Sequence, residues 1–274
     1  MDYSQFAPLS IEVSEGVATI TMPGGKENHN EQHRLFGLIW RALDSDPDVK
    51  AVIVTGTGDE FYASGDPTGE RMAYFADAKQ EDFWSMSETL DKEVNAIVYE
   101  MINFSKPLVS AINGRTAGAG MCVALLADIS IASDRAILWD PHMMLGIASG
   151  DGPLAIWPLL AGLAKTKLYV LTADALDGAE AERIGLVGRV VPHESLMDVA
   201  LDYARRFVEG PPAALKFTKR ALNQWFRLSG LVSYDYSYAA EVLTFFSGEI
   251  TQAPWTEWPP RTVSGALERP DSKG

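Results

Sequence analysis

Apolar and polar positions divide this chain into short β-type runs and longer stretches of helical period, with glycine and proline marking the joins. Residues 11–13 and 17–22 flank Ser14-Glu15-Gly16 and predict a β-hairpin, with small and apolar residues alternating in the second arm. The polar loop GGKENHNEQH carries His29 and His33. Leu35, Phe36, Leu38, Ile39 and Leu43 then recur at helical spacing, which predicts a helix over 31–43 with His33 in its first turn. Residues 52–55 predict a buried strand ending at Gly56-Thr57-Gly58, and 61–65 a second small-residue turn. The acidic region 71–82 has two readings, a lid or a plain surface excursion, and a helix follows over 83–104. Further on, helices are predicted over 165–172 and 178–184, and a strand over 187–191. An amphipathic helix over 194–208 sets Leu196, Val199, Ala200, Tyr203 and Phe207 on one face. Beyond Pro211-Pro212 come helices over 213–228 and 234–246, then a Pro-rich polar end in which Trp255 and Trp258 are candidates to pin it to the body or to a neighbouring subunit.

The rest of the chain is arranged around residues 106–163. An apolar run at 108–112 breaks at Asn113-Gly114, and Gly118-Ala119-Gly120 opens an apolar helix-forming run over 121–127. A strand, a tight turn and a helix start are the local geometry that aims backbone N–H groups at an anion. Two further β-type runs, 129–132 and 136–139, lead to Asp140-Pro141-His142, and Asp151 follows between Gly150 and Gly152 ahead of another apolar helix. Each piece also has an ordinary structural reading. Glycines serve close packing, a histidine after proline can be a satisfied core residue, and an aspartate between glycines is a turn former or cap. Their conjunction on successive connections is what points to a site.

Composition narrows the field. With 274 residues, 47% hydrophobic and 22% charged, the chain is long enough for a large core and ordinary for a globular protein. A net charge of −14 argues against nucleic-acid and anionic-membrane partners, which reward clustered Lys and Arg. The single cysteine, Cys122, rules out an intrachain disulfide and suits a reducing compartment. With no leader-like start and no apolar run of about 18 residues, a cytoplasmic protein is expected.

Several of these segments together resemble the crotonase, or enoyl-CoA hydratase/isomerase, superfamily across 10–230: the VIVTG strand, FYASGD, KPLVSAINGRTAGAG with LLADISIAS, LGIASGDG, and ALDGAEAERIGLVGRVV. The resemblance implies an α/β fold, a spiral of ββα units over 1–195 with a C-terminal helical trimerisation region over 196–250 and an irregular tail over 251–274. It also implies an oxyanion hole of two backbone N–H groups, at Gly65 and Ala119; alanine in place of the commoner glycine keeps its N–H. The two glutamates that hydratases of the family use fall at Cys122 and His142, which speaks against ordinary enoyl-CoA hydration.

The run DPHMMLGIASGDGPLAIWPLLAG is similar to the 6-oxocamphor hydrolase-like branch, which cleaves a carbon–carbon bond of cyclic β-diketones without coenzyme A. His142, Asp151 and His33 match the active-site histidines and aspartate of that branch, and Trp157-Pro158 fits as well. Asn28 and Ala119 stand where the branch has a tryptophan and an oxyanion histidine, which puts the identical substrate in doubt. The expected chemistry is retro-Claisen hydrolysis: Asp151 fixes the His142 tautomer, His142 takes a proton from water, Gly65 and Ala119 stabilise the enolate, and His33 is a proton donor. His29, Trp84, Trp139 and Phe245 are the candidate substrate-binding residues. No metal or cofactor is called for, and the expected assembly is a homotrimer or a dimer of trimers. Three alternatives stay open: a coenzyme A thioester enzyme, a hydro-lyase or isomerase on a free substrate, and a non-catalytic scaffold.

Overall fold

Buried apolar runs build two sheets, each coil of chain giving one strand to each sheet before a helix carries it back. A computed structural model of the chain describes residues 1–25, 28–63, 79–250 and 262–263. The chain opens with β1 (Ser10–Ser14), β2 (Val17–Met22), α1 (His29–Phe36) and α2 (Ile39–Ser45). One coil is β3 (Ala51–Gly56), β4 (Glu60–Ala63), α3 (Phe83–Leu90), a π-helical turn at Asp91–Asn95, and α4 (Ala96–Asn103). The next is β5 (Leu108–Ile112), β6 (Arg115–Ala117) and α5 (Ala119–Leu125). A third is β7 (Ile129–Ser133), β8 (Ile137–Trp139), α6 (His142–Leu145), α7 (Pro153–Leu160) and α8 (Leu163–Thr172). After β9 (Ala175–Asp177), α9 (Gly178–Arg183) and β10 (Arg189–Val191) the chain turns helical: α10 (Leu196–Glu209), α11 (Pro212–Leu222), α12 (Gln224–Ser229), a π-helical turn at Gly230–Tyr234, and α13 (Asp235–Phe245). A last strand, β11 (Thr262–Val263), pairs with β9.

The sheets run β1-β2-β3-β5-β7-β10 and β11-β9-β8-β6-β4, parallel except at the β1–β2 hairpin and between β8 and β9. This is the ββα spiral with a helical C-terminal region. The central strands of the first sheet, β3 and β5, are buried on both faces, so their sequences read as continuous apolar runs, while the edge strand β1 is largely exposed. Val52, Val54, Leu108 and Ile112 enter the main core, while Ile53, Val109, Ala111 and Ile131 meet the stripe of α10 at Leu196, Ala200 and Ala204.

Successive coils are clasped at their corners. The buried side-chain amide of Asn113 accepts from the Gly56 N–H at 2.9 Å and donates to the Gly58 and Glu60 carbonyls at 3.0 and 3.1 Å. Lys219 of α11 reaches into the body, donating to Asp128 at 2.7 Å and to the Lys106 carbonyl at 2.8 Å. Asn223 donates to the Ile102 carbonyl at 2.9 Å, and these bonds dock the helical region onto the coils.

The structure departs from the sequence expectations where signals are short. The helix expected over 31–43 divides at Gly37, a weak helix former, and the one over 83–104 is interrupted by the π-helical turn. Residues 60–63 and 115–117 are strands although both stretches read as turns, because three or four residues of mixed size show no period of two. Of the region read as a lid or surface excursion, 71–78 lie outside the described residues, as do Trp255 and Trp258. No described helix is long and apolar enough to cross a membrane.

Replacing Asn113 by Ala leaves the buried Glu60 carbonyl without this partner and turns the Gly56 N–H and the exposed Gly58 carbonyl over to water. At about 1–3 kcal/mol for an unsatisfied buried group, the variant loses about 1–3 kcal/mol. A drop in Tm of roughly 2–12 °C is expected in thermal unfolding.

Candidate active site

The site is built where β8 hands the chain to α6. Asp140 and Pro141 follow the strand, and the proline closes off further pairing, so that His142 begins a short helical turn instead. His142 is buried, at 3% exposure, and one edge of its ring is held locally: Nδ1 pairs with the Asp140 carboxylate, whose second oxygen accepts from Ser149 Oγ at 2.7 Å. The other edge faces two carboxylates, with Nε2 3.4 Å from Asp151 Oδ1 and 3.5 Å from Glu241 Oε1. Asp151 lies in the turn before α7, and Glu241 on α13, about a hundred residues later in the chain. Gly150 makes the close approach of that helix possible, because a β-carbon there would stand 2.3 Å from Glu241 Oε2 and 2.8 Å from the Ser237 carbonyl.

Asp140 therefore holds Nδ1, and Asp151, expected from the sequence against one ring nitrogen, faces Nε2. A carboxylate two residues away on the same chain turn reaches Nδ1 directly, and Asp151 is left to face Nε2 beside Glu241. Burial alone would push the imidazole pKa down, but the charges of Asp140 and Asp151 and the bonds to Asp140 and Glu241 outweigh it and hold the ring well above its ordinary value. The resting ring is thus an imidazolium at neutral pH.

Cys122, one turn into α5, sits under the same loop and donates its thiol to the Asp151 carbonyl at 2.6 Å. Burial, with the negative charges of Asp151, Asp140 and Glu241, drives this thiol far above the usual range, so it is neither acid nor base here. Ala119 is the first residue of α5. Gly120 beside it presses on strand β4, where a β-carbon would come 1.8 Å from the Tyr62 carbonyl. The parallel register sets Ala63, the last residue of β4, opposite Ala117, two residues before Ala119. Gly65 itself lies outside the described residues.

The remaining candidates fall in three places. His33 is buried on α1, its Nδ1 2.8 Å from the His29 carbonyl and 2.5 Å from the Tyr62 hydroxyl. His29 meets Glu60 at 2.9 Å, and Arg115 stands 3.5 Å from the same carboxylate. Burial pushes Glu60 up, but the His29 hydrogen bond and the His29 and Arg115 charges prevail and lower it. Trp139 and Phe245 pack around the His142 turn, Trp139 with Met144 and Phe245 with Leu145 and Ile147. Trp84 is 75% exposed and rests edge-on against Phe83, away from these groups. Sequence reasoning passed over Asp140, which stands in the quoted segment, and Glu241, whose one local signal is a lone carboxylate in the aromatic helix DYSYAAEVLTF.

Comparison with known proteins follows the same line. The family model described as enoyl-CoA hydratase/isomerase matches residues 12–245, and the chain belongs to that family. A short-chain-enoyl-CoA hydratase of Clostridium acetobutylicum is 31% identical over 182 residues, covering 66% of this chain and 67% of its own length. A carnitinyl-CoA dehydratase of Escherichia coli O157:H7 is 28% identical, covering 84% of each chain. Among solved structures, an enoyl-CoA hydratase/isomerase from Mycobacterium paratuberculosis superposes with a TM-score of 0.78 at 28% identity, over 89% of this chain and 97% of that one. A β-diketone hydrolase from the cyanobacterium Anabaena, bound to (S)-3-oxocyclohexyl acetic acid, superposes with a TM-score of 0.77 at 24% identity over 89% and 96%. At that identity the second likeness concerns the fold.

The raised His142 pKa fixes a sign for stability. The imidazolium's contribution is fully present below the unfolded value of about 6.5 and is lost as pH rises through the folded one. The gap in unfolding free energy between wild type and His142→Gln is expected to be widest near pH 6 and to narrow with increasing pH above it. Denaturant titrations at several pH values measure it, and a gap that widens with pH contradicts the charge state described.

Proposed function

We propose that this protein hydrolyses a carbon–carbon bond of a cyclic β-diketone, without coenzyme A. The observation that carries the reading is the pair of replacements in the family's acid–base positions: a protonated thiol at Cys122 and, at 142, an imidazole surrounded by Asp140, Asp151 and Glu241. A site with no carboxylate at 122 is poorly equipped for ordinary hydration of an enoyl thioester, yet it is rich in groups that move protons.

In the proposed reaction a water bound against Asp151 and Glu241 attacks one ring carbonyl. Its proton passes to one of these carboxylates, because the imidazolium is already charged. Asp140 holds the ring in place, and His142 stabilises the negative charge that builds on the adduct. Collapse of the tetrahedral adduct breaks the bond between the carbonyl carbon and the central carbon. One product end becomes a carboxylic acid and the other an enolate, and the enolate carbon then takes up the proton that water gave. The net change is the addition of one water. The Ala119 and Gly65 N–H groups are assigned to the enolate oxygen, and His33, His29, Trp139 and Phe245 to the shell around the substrate. Trp84, exposed in a single subunit, joins that shell where a neighbouring subunit covers it.

A second reading, thioester chemistry, is favoured by the curated relatives, which are named as coenzyme A enzymes. The expected homotrimer draws support from the exposed Leu222, Trp225, Leu228, Leu231 and Val232 along α11, α12 and the π-helical turn after them.

Mass spectrometry of the protein with a panel of cyclic 1,3-diketones, and in parallel with crotonyl-CoA, tests the proposal. A product heavier by one water is expected from a diketone without coenzyme A. In His142→Ala the rate falls by about 10² to 10⁴. Turnover of crotonyl-CoA alone sinks the diketone reading, and an undiminished rate in His142→Ala sinks the site.

A further inference from the structure

Tyr234 closes the π-helical turn Gly230–Tyr234, and such single π turns inside helices are frequent at functional sites. It is 1% exposed, and its hydroxyl has no hydrogen-bond partner among the described residues. Other tyrosines of this protein are satisfied: Tyr3 by Asp46 at 2.7 Å, Tyr99 by Asp235 at 3.1 Å, Tyr169 by Glu180 at 2.5 Å and Tyr238 by the Ser87 carbonyl at 2.9 Å. A buried hydroxyl left unmade costs about 1–3 kcal/mol, and such a group in a folded protein calls for an explanation.

Its surroundings supply one. Burial, and then the electrostatic influence of the Cys122, Asp151 and Glu241 side chains, raise the Tyr234 hydroxyl well above its ordinary value, so it keeps its proton and has a hydrogen bond to donate. Those three residues are the ones gathered around His142. The ring stands edge-on to Tyr99 at 5.7 Å and lines an apolar cavity of about 320 Å³ shared with Val98, Ile102, Leu126, Ile156 and Phe226. Val98 and Ile156 also stand beside Gly152, the residue after Asp151, where only the Cys122 thiol comes closer. The tyrosine thus borders space for an apolar ring system, and two walls of that space, Val98 and Ile156, adjoin the loop that carries Asp151.

We propose that Tyr234 donates a hydrogen bond to a carbonyl oxygen of the substrate and holds that oxygen as negative charge develops on it. The inference rests on the reading of the His142 cluster as the catalytic site, and it extends that reading to a substrate whose apolar body occupies the adjoining cavity. No proton leaves the tyrosine; its role is to lower the energy of the oxyanion.

Tyr234→Phe keeps the ring and removes the hydroxyl. On whichever substrate the wild type turns over, kcat is expected to fall by about 10² to 10³ with a smaller change in KM, as for an oxyanion donor. Tm is expected to stay level or rise, because the unmade hydroxyl disappears with its cost. An unchanged kcat overturns the proposal while leaving the site reading intact. A fall in kcat accompanied by a clear fall in Tm overturns it also, since the hydroxyl is then structural. If wild type turns over neither the diketones nor crotonyl-CoA, the site reading falls and takes Tyr234 with it.

Discussion

One amide side chain ties the coils of this spiral to each other. Asn113 spends its acceptor and both donor positions on the corner between β3 and β4, three backbone groups that strand pairing leaves over. A corner clasped in this way fixes the height at which β5 turns into β6. That in turn fixes where α5 begins, and α5 carries both Ala119 and Cys122. The positions of the candidate oxyanion group and of the thiol beneath Asp151 are consequences of satisfying one buried turn.

The second constraint is charge. Three carboxylates meet around His142 in a volume from which water is largely excluded, and such a grouping is held together by positive charge that offsets part of the negative. The imidazolium meets that need, and the raised pKa is its signature. The thiol of Cys122 is neutral for the same reason: another anion in this space has nothing to balance it. Here the electrostatics of the fold and those of the proposed chemistry are one problem, because a carboxylate that accepts a proton from water relieves the excess of negative charge.

Much of this was legible in the chain. The parallel strands showed as unbroken apolar runs because both faces of the sheet are covered, and His142 and Asp151 stood out between the prolines and glycines that end elements. The resemblance carried by several segments fixed the fold, and the family match bears it out. What stayed hidden was of two kinds. β4 and β6 are too short for a period to register. Asp140 and Glu241 were missed because a role depends on direction: adjacency does not say which imidazole nitrogen a carboxylate meets, and no local pattern says that α13 returns to β8. Tyr234 is hidden for the same reason, since a tyrosine without a partner is invisible until every acceptor around it is known.

The three carboxylates reach the histidine over very unequal stretches of chain. Asp140 is two residues away and needs only one turn to form, Asp151 arrives with the next connection, and Glu241 comes from the last long helix. During synthesis the pair at 140 and 142 exists long before the ring has its full complement of counter-charges. Loops that close over many residues also close last. A partly assembled chain therefore carries the histidine with only part of the negative charge that surrounds it in the finished fold, and the docking of the terminal helix adds the last carboxylate.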